Sequence, residues 1–190
     1  MARPRSNERR TAILDAATRV IAAHGLAATA TSAIAKEAGV SNGSLFVYFD
    51  SKATLLNELY VLLKSEMGQA AFANSPELVS PREQLHHVWV QWLAWATSNP
   101  DKRRTLAQLE VADDIKLESH TLVRDAQRDM AALLERCREG GPMASLPIGF
   151  VLLLTGAIAD ATMDLLIRDP RLDEDRGGAA FEAVWRVLAG

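Results

Sequence analysis

The sequence has little cysteine, no membrane-length hydrophobic run and no large excess of charge of either sign. One cysteine, Cys137, occurs among 190 residues, which excludes an intramolecular disulfide and fits a reducing compartment. The longest strongly apolar stretch, residues 147–159, is shorter than the roughly 20 residues that cross a bilayer. The first ten residues carry four arginines and no apolar core typical of a secretory signal. The composition therefore predicts a soluble, cytoplasmic globular protein that does not enter membranes.

The net charge of −3 conceals an uneven distribution along the chain. Residues 1–52 contain seven Lys and Arg against four Asp and Glu, a net charge of +3, and the remaining 138 residues have a net charge of −6. A basic end on an acidic body is typical of a protein that meets a polyanion through that end alone. A chance fluctuation of a few charges is the alternative explanation.

The hydrophobic pattern predicts an all-α protein of about nine helices. Apolar residues recur at spacings of three and four, and no sustained period-two alternation indicates a strand. In the first fifty residues, helices are expected from residue 6 or 7 to His24, over 31–38 and over 41–49. The predicted domains are residues 1–50, a three-helix unit, and residues 51–190, a larger helical body. Ser80-Pro81-Arg82-Glu83 is a typical helix start, with an N-cap serine and a capping-box glutamate.

The two short helices in the first domain have the spacing of a helix-turn-helix. Ile34 and Ala35 face inward from the first, Gly39 is free to adopt a positive φ in the turn, Val40 fills the core, and Leu45 is buried from the second. Phe46 and Phe49 are expected on the apolar side of the second helix. Small or hydrogen-bonding groups that suit a major groove remain exposed, namely Ser41, Asn42, Gly43, Ser44, Val47 and Tyr48.

From about Arg9 to Leu56 the sequence resembles the tetracycline-repressor (TetR) family of bacterial regulators. The resemblance is carried by Ile13-Leu14-Asp15-Ala16-Ala17, Gly25, residues 34–41 (IAKEAGVS), residues 43–49 (GSLFVYF), Ser51-Lys52 and Leu55-Leu56. It implies an N-terminal DNA-binding domain and a helical body that binds an effector and dimerises through its last two long helices. It further implies a double-stranded DNA operator and the following DNA contacts: Thr31, Ser32, Ser41, Asn42, Gly43, Ser44 and Val47 at bases or phosphates, Tyr48 and Lys52 at phosphates, with help from Arg3 and Arg5.

The sequence departs from the family pattern at two of these positions. Phe46 stands where many members have tyrosine, which removes a hydroxyl contact to the DNA backbone. Ala30 stands where a Thr or Ser usually caps the second helix, so Thr29 or Thr31 is expected to supply the cap.

In the body, the last two long helices are apolar on more than one side, which indicates burial against a second copy as well as against the body. A central position in a monomer is the alternative. The expected dimer interface contains Leu152, Ala159, Met163, Phe181, Val184 and Trp185. The expected effector pocket, placed among the middle helices because aromatic rings line apolar pockets, contains Met67, Phe72, Trp89, Trp92, Leu109 and Phe150. An ordinary core stripe explains these tryptophans equally well.

The sequence offers no convincing enzyme, metal or cofactor site. Residues 39–43 fit the G-x-S-x-G motif of hydrolases, but that motif needs a preceding strand. His86 and His87 are adjacent and therefore point about 100° apart on a helix. Cys137 lies between two arginines that are able to lower its pKa, although a thiol without function is the simpler interpretation. The resulting hypothesis is a ligand-responsive, dimeric DNA-binding regulator, with a repressor favoured; a helical carrier or enzyme with a vestigial helix-turn-helix is the alternative.

Overall fold

The structure, a computed structural model, describes residues 3–73, 80–126, 128–169 and 173–190, with side chains except at residues 3–6, 125, 126 and 173–176. All regular elements in these ranges are helices and none is a strand, which confirms the all-α prediction. Ten helical segments are described, where about nine helices were predicted: α1 (Arg3–His24), α2 (Thr31–Glu37), α3 (Asn42–Tyr48), α4 (Lys52–Phe72), α5 (Pro81–Ser98), α6 (Pro100–Glu110), α7 (Leu117–Ala126), α8 (Arg128–Cys137), α9 (Ile148–Arg168) and α10 (Asp173–Ala189).

The described helices group into two compact units. Unit 1 comprises Met1–Lys64 and Pro100–Val123, and unit 2 comprises Ser65–Asn99 and Arg124–Gly190. The predicted functional division at residue 50 stays a prediction, because compactness alone does not assign a function to either part.

The core of unit 1 is built on the apolar face of α1, as the periodicity predicted. Its fully buried side chains include Ile13, Ile21, Ile34, Leu45, Phe49, Leu55, Leu56 and Leu59. Helix α1 ends at His24, and the next residue, Gly25, has a φ of +83° and an N–H that donates to the Ile21 carbonyl oxygen over 2.9 Å. A positive φ is accessible to glycine without the steric cost that a Cβ imposes, so the helix ends there.

Helix α6 packs on α1 within unit 1 and is fastened by hydrogen bonds to the α1 backbone. Thr105 Oγ1 donates to the Thr18 carbonyl oxygen over 3.0 Å in a buried position. Gln108 Oε1 accepts the Leu26 N–H over 2.7 Å, just beyond the end of α1. These bonds hold a helix from the middle of the chain against the N-terminal three-helix unit, which sequence periodicity does not reveal.

Unit 2 is organised around α5, α8, α9 and α10. Helix α5 begins with the predicted capping box: Ser80 Oγ accepts the Glu83 N–H over 3.3 Å, and the Glu83 carboxylate accepts the Ser80 N–H over 3.1 Å. Trp89 is 1% exposed, and its indole N–H donates to the Gly177 carbonyl oxygen over 2.9 Å, which ties α5 to α10. Among the described residues, α9 is long and apolar enough to cross a bilayer, a property that it shares with core helices of soluble proteins.

Candidate nucleic-acid interface

Helices α2 and α3 are joined by a tight turn that local backbone chemistry specifies. Gly39 has a φ of +67°, and its N–H donates to the Lys36 carbonyl oxygen over 3.1 Å. The next N–H, of Val40, donates to the Ala35 carbonyl oxygen over 2.9 Å. This pair of bonds is the Schellman motif, which ends α2 and redirects the chain into α3.

Ser41 is the N-cap of α3. Its backbone is extended, with φ −71° and ψ 153°, and its Oγ accepts the Ser44 N–H over 3.0 Å. Leu45 and Phe49 lie on the inner face and are 0% and 1% exposed. The serine of the G-x-S-x-G match therefore caps a helix that follows another helix, whereas a hydrolase serine follows a strand.

Nine of the eleven predicted DNA contacts have described side chains, and all nine are exposed or half-buried. The exposed residues are Ser32, Ser41, Asn42, Gly43 and Val47, and the half-buried ones are Thr31, Ser44, Tyr48 and Lys52. The side chains of Arg3 and Arg5 lie outside the described residues, although both belong to α1. The DNA contacts of all eleven residues remain predictions. The nine with described side chains are accessible enough to make such contacts.

Three details of this region differ from expectation. Phe46 is 42% exposed, because Leu45 and Phe49 occupy the inward face and Phe46 points about 100° away from Leu45. Val40 is half-buried and does not fill the core. Ala30 caps α2 without a side-chain hydrogen bond, and the Thr29 hydroxyl donates instead to the Gly25 carbonyl oxygen over 2.7 Å.

Ion pairs within unit 1 reduce the positive charge available to a polyanion. Arg19 Nε lies 2.7 Å from Glu37 Oε1 and fastens α1 to α2, and Arg10 pairs with Glu58 of α4. Counting charges along the sequence cannot find these pairs, because their partners are 18 and 48 residues away. Other basic side chains in the first 52 residues are exposed at Arg9 and Lys36 and half-buried at Lys52.

The described residues of unit 2 line two cavities, among others, that have mixed polar and apolar walls. The larger, about 520 Å³, lies between α5 and α10 and is lined by Arg82, His86, His87, Val90, Phe181 and Glu182. The smaller, about 240 Å³, is lined by Phe72, Gln84, Val88, Asp129, Leu133 and Arg136. Ligand pockets commonly measure about 300–1,000 Å³, so the larger cavity has the volume of a small-molecule site.

The predicted effector-pocket residues differ in burial and in the unit to which they belong. Phe72 lines the smaller cavity, and Phe150 is 48% exposed on α9. Met67 and Trp89 are buried, and Trp92 is half-buried with an indole Nε1 that has no hydrogen-bond partner. Leu109 is fully buried and belongs to unit 1, whereas the other five belong to unit 2. A shared pocket for all six stays a prediction.

Most of the predicted interface residues are buried within unit 2. Their exposed fractions are 2% or less at Ala159, Met163, Phe181 and Val184, and Leu152 and Trp185 are half-buried. The four buried side chains already pack inside the unit and are not available to a partner. The exposed stripe of α9 instead has a four-residue spacing and consists of Gly149, Leu153, Ala157, Ala161 and Leu165.

The histidines and the cysteine of α5 and α8 have structural surroundings. His86 packs edge-on against Phe181 with ring centroids 4.7 Å apart, whereas His87 Nε2 lies 3.0 Å from the Ala73 carbonyl oxygen. Cys137 is 3% exposed, and burial raises the pKa of its thiol to about 11 although the charge of Arg136 acts in the opposite direction. In the described part of the chain, no three His, Cys, Asp or Glu residues are grouped to hold a metal ion.

The geometry of unit 1 is that of a helix-turn-helix DNA-binding protein. Residues 13–59 match the sequence model of the bacterial regulatory proteins of the tetR family. The HTH-type transcriptional regulator AcrR of Shigella flexneri is 31% identical over 131 residues, which are 66% of this chain and 58% of AcrR. The matched region thus spans little more than half the length of that relative.

Solved structures share this fold over nearly the whole chain. A TetR family transcription regulator from Marinobacter aquaeolei VT8 aligns with a TM-score of 0.86 and 21% identity, covering 98% of each chain. The transcriptional regulator FadR of Bacillus subtilis, solved in complex with stearoyl-CoA, aligns with a TM-score of 0.70 and 19% identity over 95% of this chain and 97% of FadR. The chain belongs to the TetR family of bacterial regulators.

Proposed function

We propose that the protein is a homodimeric, effector-responsive transcriptional regulator that acts as a repressor at a palindromic operator in the bacterial cytoplasm. The observation that carries the proposal is the exposed face of α3, from Ser41 to Val47, on a helix-turn-helix whose inner face is fully packed. A short helix of this kind enters the major groove and presents its exposed side chains to base edges. Family membership supports the same function.

The proposed contacts divide into two groups. Ser41, Asn42, Ser44 and Val47 face base edges, with Gly43 allowing close approach, and these residues select the sequence. The second group anchors phosphates or the adjacent minor groove and contains Thr31, Ser32, Tyr48, Lys52, Arg3 and Arg5.

The proposed dimer uses the exposed apolar stripe of α9. Leu153 is 70% exposed and Leu165 is 39% exposed, with two alanines between them. Small residues between larger ones let two helices approach closely, and a two-fold axis makes the stripe self-complementary. The two helix-turn-helix units of the dimer, related by that axis, would contact half-sites about 34–36 Å apart, or a multiple of this distance.

The dimer proposal is tested by Leu153→Glu, with Leu122→Glu of α7 as the matched control. Leu122 is 59% exposed, so both variants place a carboxylate on the surface without disturbing a core. Light scattering after size-exclusion chromatography is expected to report a monomer for Leu153→Glu and a dimer for the control. A dimeric Leu153→Glu protein would place the interface elsewhere.

The proposed effector is a small molecule bound in unit 2. The cavities of that unit support this, as does the relative FadR, whose structure contains stearoyl-CoA. An effector changes operator affinity only by the difference between its affinities for the DNA-bound and DNA-free conformations. The ligand need not contact DNA or unit 1.

The operator proposal is tested by selecting duplexes from a random double-stranded DNA library with the purified protein. Enrichment of a palindromic sequence is expected. Lys52→Ala should weaken binding to it and lower the slope of log affinity against log salt by about 1, because one phosphate contact is lost. Tyr48→Phe should weaken binding about tenfold through the loss of a hydrogen bond to a charged group.

The matched control for Lys52→Ala is Lys116→Ala, which removes the same charge from an exposed position of unit 1 outside the helix-turn-helix. It should leave the affinity and the salt slope nearly unchanged. Failure to enrich any sequence at low salt, together with tight binding of a small molecule, would favour the alternative of a helical carrier.

A further inference from the structure

Gly43 of α3 has no role inside the protein that explains the absence of a side chain. Its φ is not among the positive values, so its backbone conformation is open to any residue. A Cβ added at this position would meet only Ser41 Oγ, at 4.0 Å, which is ordinary van der Waals contact. Glycine nevertheless destabilises a helix relative to alanine. Gly68 of α4 shares these features but is half-buried, whereas Gly43 is exposed on the helix-turn-helix, where a molecule outside the chain can approach it closely.

Gly43 lies at the centre of the outward face of α3. Successive helical residues are about 100° apart, so Gly43 lies nearly opposite the buried Leu45, and Phe46 and Val47 follow it by one turn. Val47 is 80% exposed and Phe46 is 42% exposed. The outermost surface of the helix is therefore a glycine followed by two large apolar side chains, which we call the apolar reading face.

The proposed partner of this helix is double-stranded DNA. The chemical groups that DNA presents limit what the apolar reading face can bind. The net charge of +3 on residues 1–52 and −6 on the rest favours a polyanion at this end of the chain. In the major groove, the base edges offer hydrogen-bond donors and acceptors and a single apolar group, the C5 methyl of thymine.

We propose that the apolar reading face selects thymine, with Val47 and Phe46 packing against thymine methyl groups in each half-site and Gly43 setting the distance of approach. The inference rests on the proposed operator binding. The specificity of the half-site then includes an apolar component, whereas Asn42 and the serines supply hydrogen bonds. A Cβ at residue 43 would stand between the helix and the base edges and hold the apolar side chains away from the methyl groups.

The test removes the methyl groups from the DNA and leaves the protein unchanged. Each thymine of the selected operator is replaced by deoxyuridine in turn, and affinity is measured at constant salt. One or more thymines per half-site should each lose about fourfold in affinity for the wild-type protein, equivalent to the roughly 0.8 kcal/mol of one buried methyl-sized group. The same replacement should have little effect on Val47→Ala, since the partner side chain has already been truncated.

Gly43→Ala tests the distance of approach, and Gly68→Ala of α4 is its matched control. Neither glycine has a positive φ, and a Cβ at Gly68 meets nothing within 4 Å. Both variants should melt at the wild-type temperature or about 1–4 °C higher. Gly43→Ala alone should weaken operator binding about tenfold or more, as an extra methyl group does in a close-packed contact.

The outcomes separate this inference from the proposed function. If no operator is selected, operator binding itself fails. If an operator is selected but deoxyuridine is tolerated at every thymine, or if Gly43→Ala binds as tightly as wild type, the apolar reading face is refuted while operator binding stands. A melting temperature of Gly43→Ala below that of the wild type would also overturn the inference, because it would show that Gly43 has a structural role.

Discussion

The buried amide of Asn57 is a sensitive point of unit 1, and its removal has a calculable cost. Asn57 is 8% exposed on α4, and its Nδ2 donates to the carbonyl oxygens of Ala53 and Asp114, each over 2.8 Å. Its Oδ1 accepts the Lys116 N–H over 2.8 Å and the Ser119 hydroxyl over 2.7 Å. One side chain thus fastens α4 to the segment that leads into α7.

Asn57→Ala leaves three distant polar groups without their partner. Removing one partner of a buried hydrogen bond costs about 1–3 kcal/mol. Asp114 and Lys116 are exposed, so water can replace the lost partner and each costs about 1 kcal/mol. Ser119 is only 7% exposed, so its lost hydrogen bond costs more. The expected loss in the free energy of unfolding is about 3 kcal/mol, which corresponds to a fall of about 6–12 °C in melting temperature.

The assay is urea denaturation followed by far-ultraviolet circular dichroism, which reports helix in both units. Tryptophan fluorescence is unsuitable alone, because Trp89, Trp92, Trp95 and Trp185 all belong to unit 2. Asn99→Ala is the matched control: Asn99 makes a local bond, from Nδ2 to the Trp95 carbonyl oxygen over 2.9 Å, and should lose less than about 1 kcal/mol. An Asn57→Ala protein within about 0.5 kcal/mol of wild type would refute the reasoning.

Three further predictions concern titration and packing. Burial and, to a smaller extent, the charge of Glu110 raise the pKa of Tyr60 from 10.0 to about 12. The free energy of unfolding that neutral Tyr60 provides is therefore lost as the pH rises from about 10 through about 12. Over this range Tyr60→Phe should lose less free energy of unfolding than the wild type, as measured by urea titrations at each pH. Burial raises the pKa of Cys137 from 9.0 to about 11, so at equal pH its thiol should react with an aromatic disulfide about tenfold more slowly, or slower still, in the native protein than in urea. A Cβ on Gly141 would overlap the Leu188 carbonyl oxygen, so Gly141→Ala should lose about 3 kcal/mol by chemical denaturation.

Each of these predictions has a contradicting result. Equal alkaline sensitivity of wild type and Tyr60→Phe would remove Tyr60 from the titration, and equal thiol reactivity in water and urea would mean that the burial of Cys137 does not protect it. The control for Gly141→Ala is Gly178→Ala, where a Cβ meets nothing within 4 Å. Similar stability of the two variants would show that the α10 backbone moves aside without cost.

The helix-turn-helix was predictable because the residues that determine it lie close together in the sequence. Gly39 ends α2 through its own positive φ, Ser41 caps α3 through a bond to Ser44, and the four-residue spacing of Leu45 and Phe49 assigns the inner face. All these determinants lie within a few residues of what they specify. The same locality made the capping box of α5 predictable.

Which face of an apolar helix is exposed was not predictable in this way. In α9, Met163 and Ala159 are as apolar as Leu153 and Ala157, so hydropathy alone does not separate core from surface. The structure separates them because α5, α8 and α10 cover one side of α9. The effector pocket stays a prediction for a related reason: aromatic residues fill cores as readily as they line cavities, so their positions along the sequence do not distinguish the two roles.

The sequence by itself determined the helical class, the turn between α2 and α3, the N-caps of α3 and α5, and the family. These depend on backbone conformation and on side chains within one or two turns, so a linear pattern contains them. Only the tertiary structure decided which basic residues are paired with acids, where the cavities of unit 2 lie and which stripe of α9 is exposed. Those properties depend on residues brought together from distant parts of the chain, and their partners are chosen by packing.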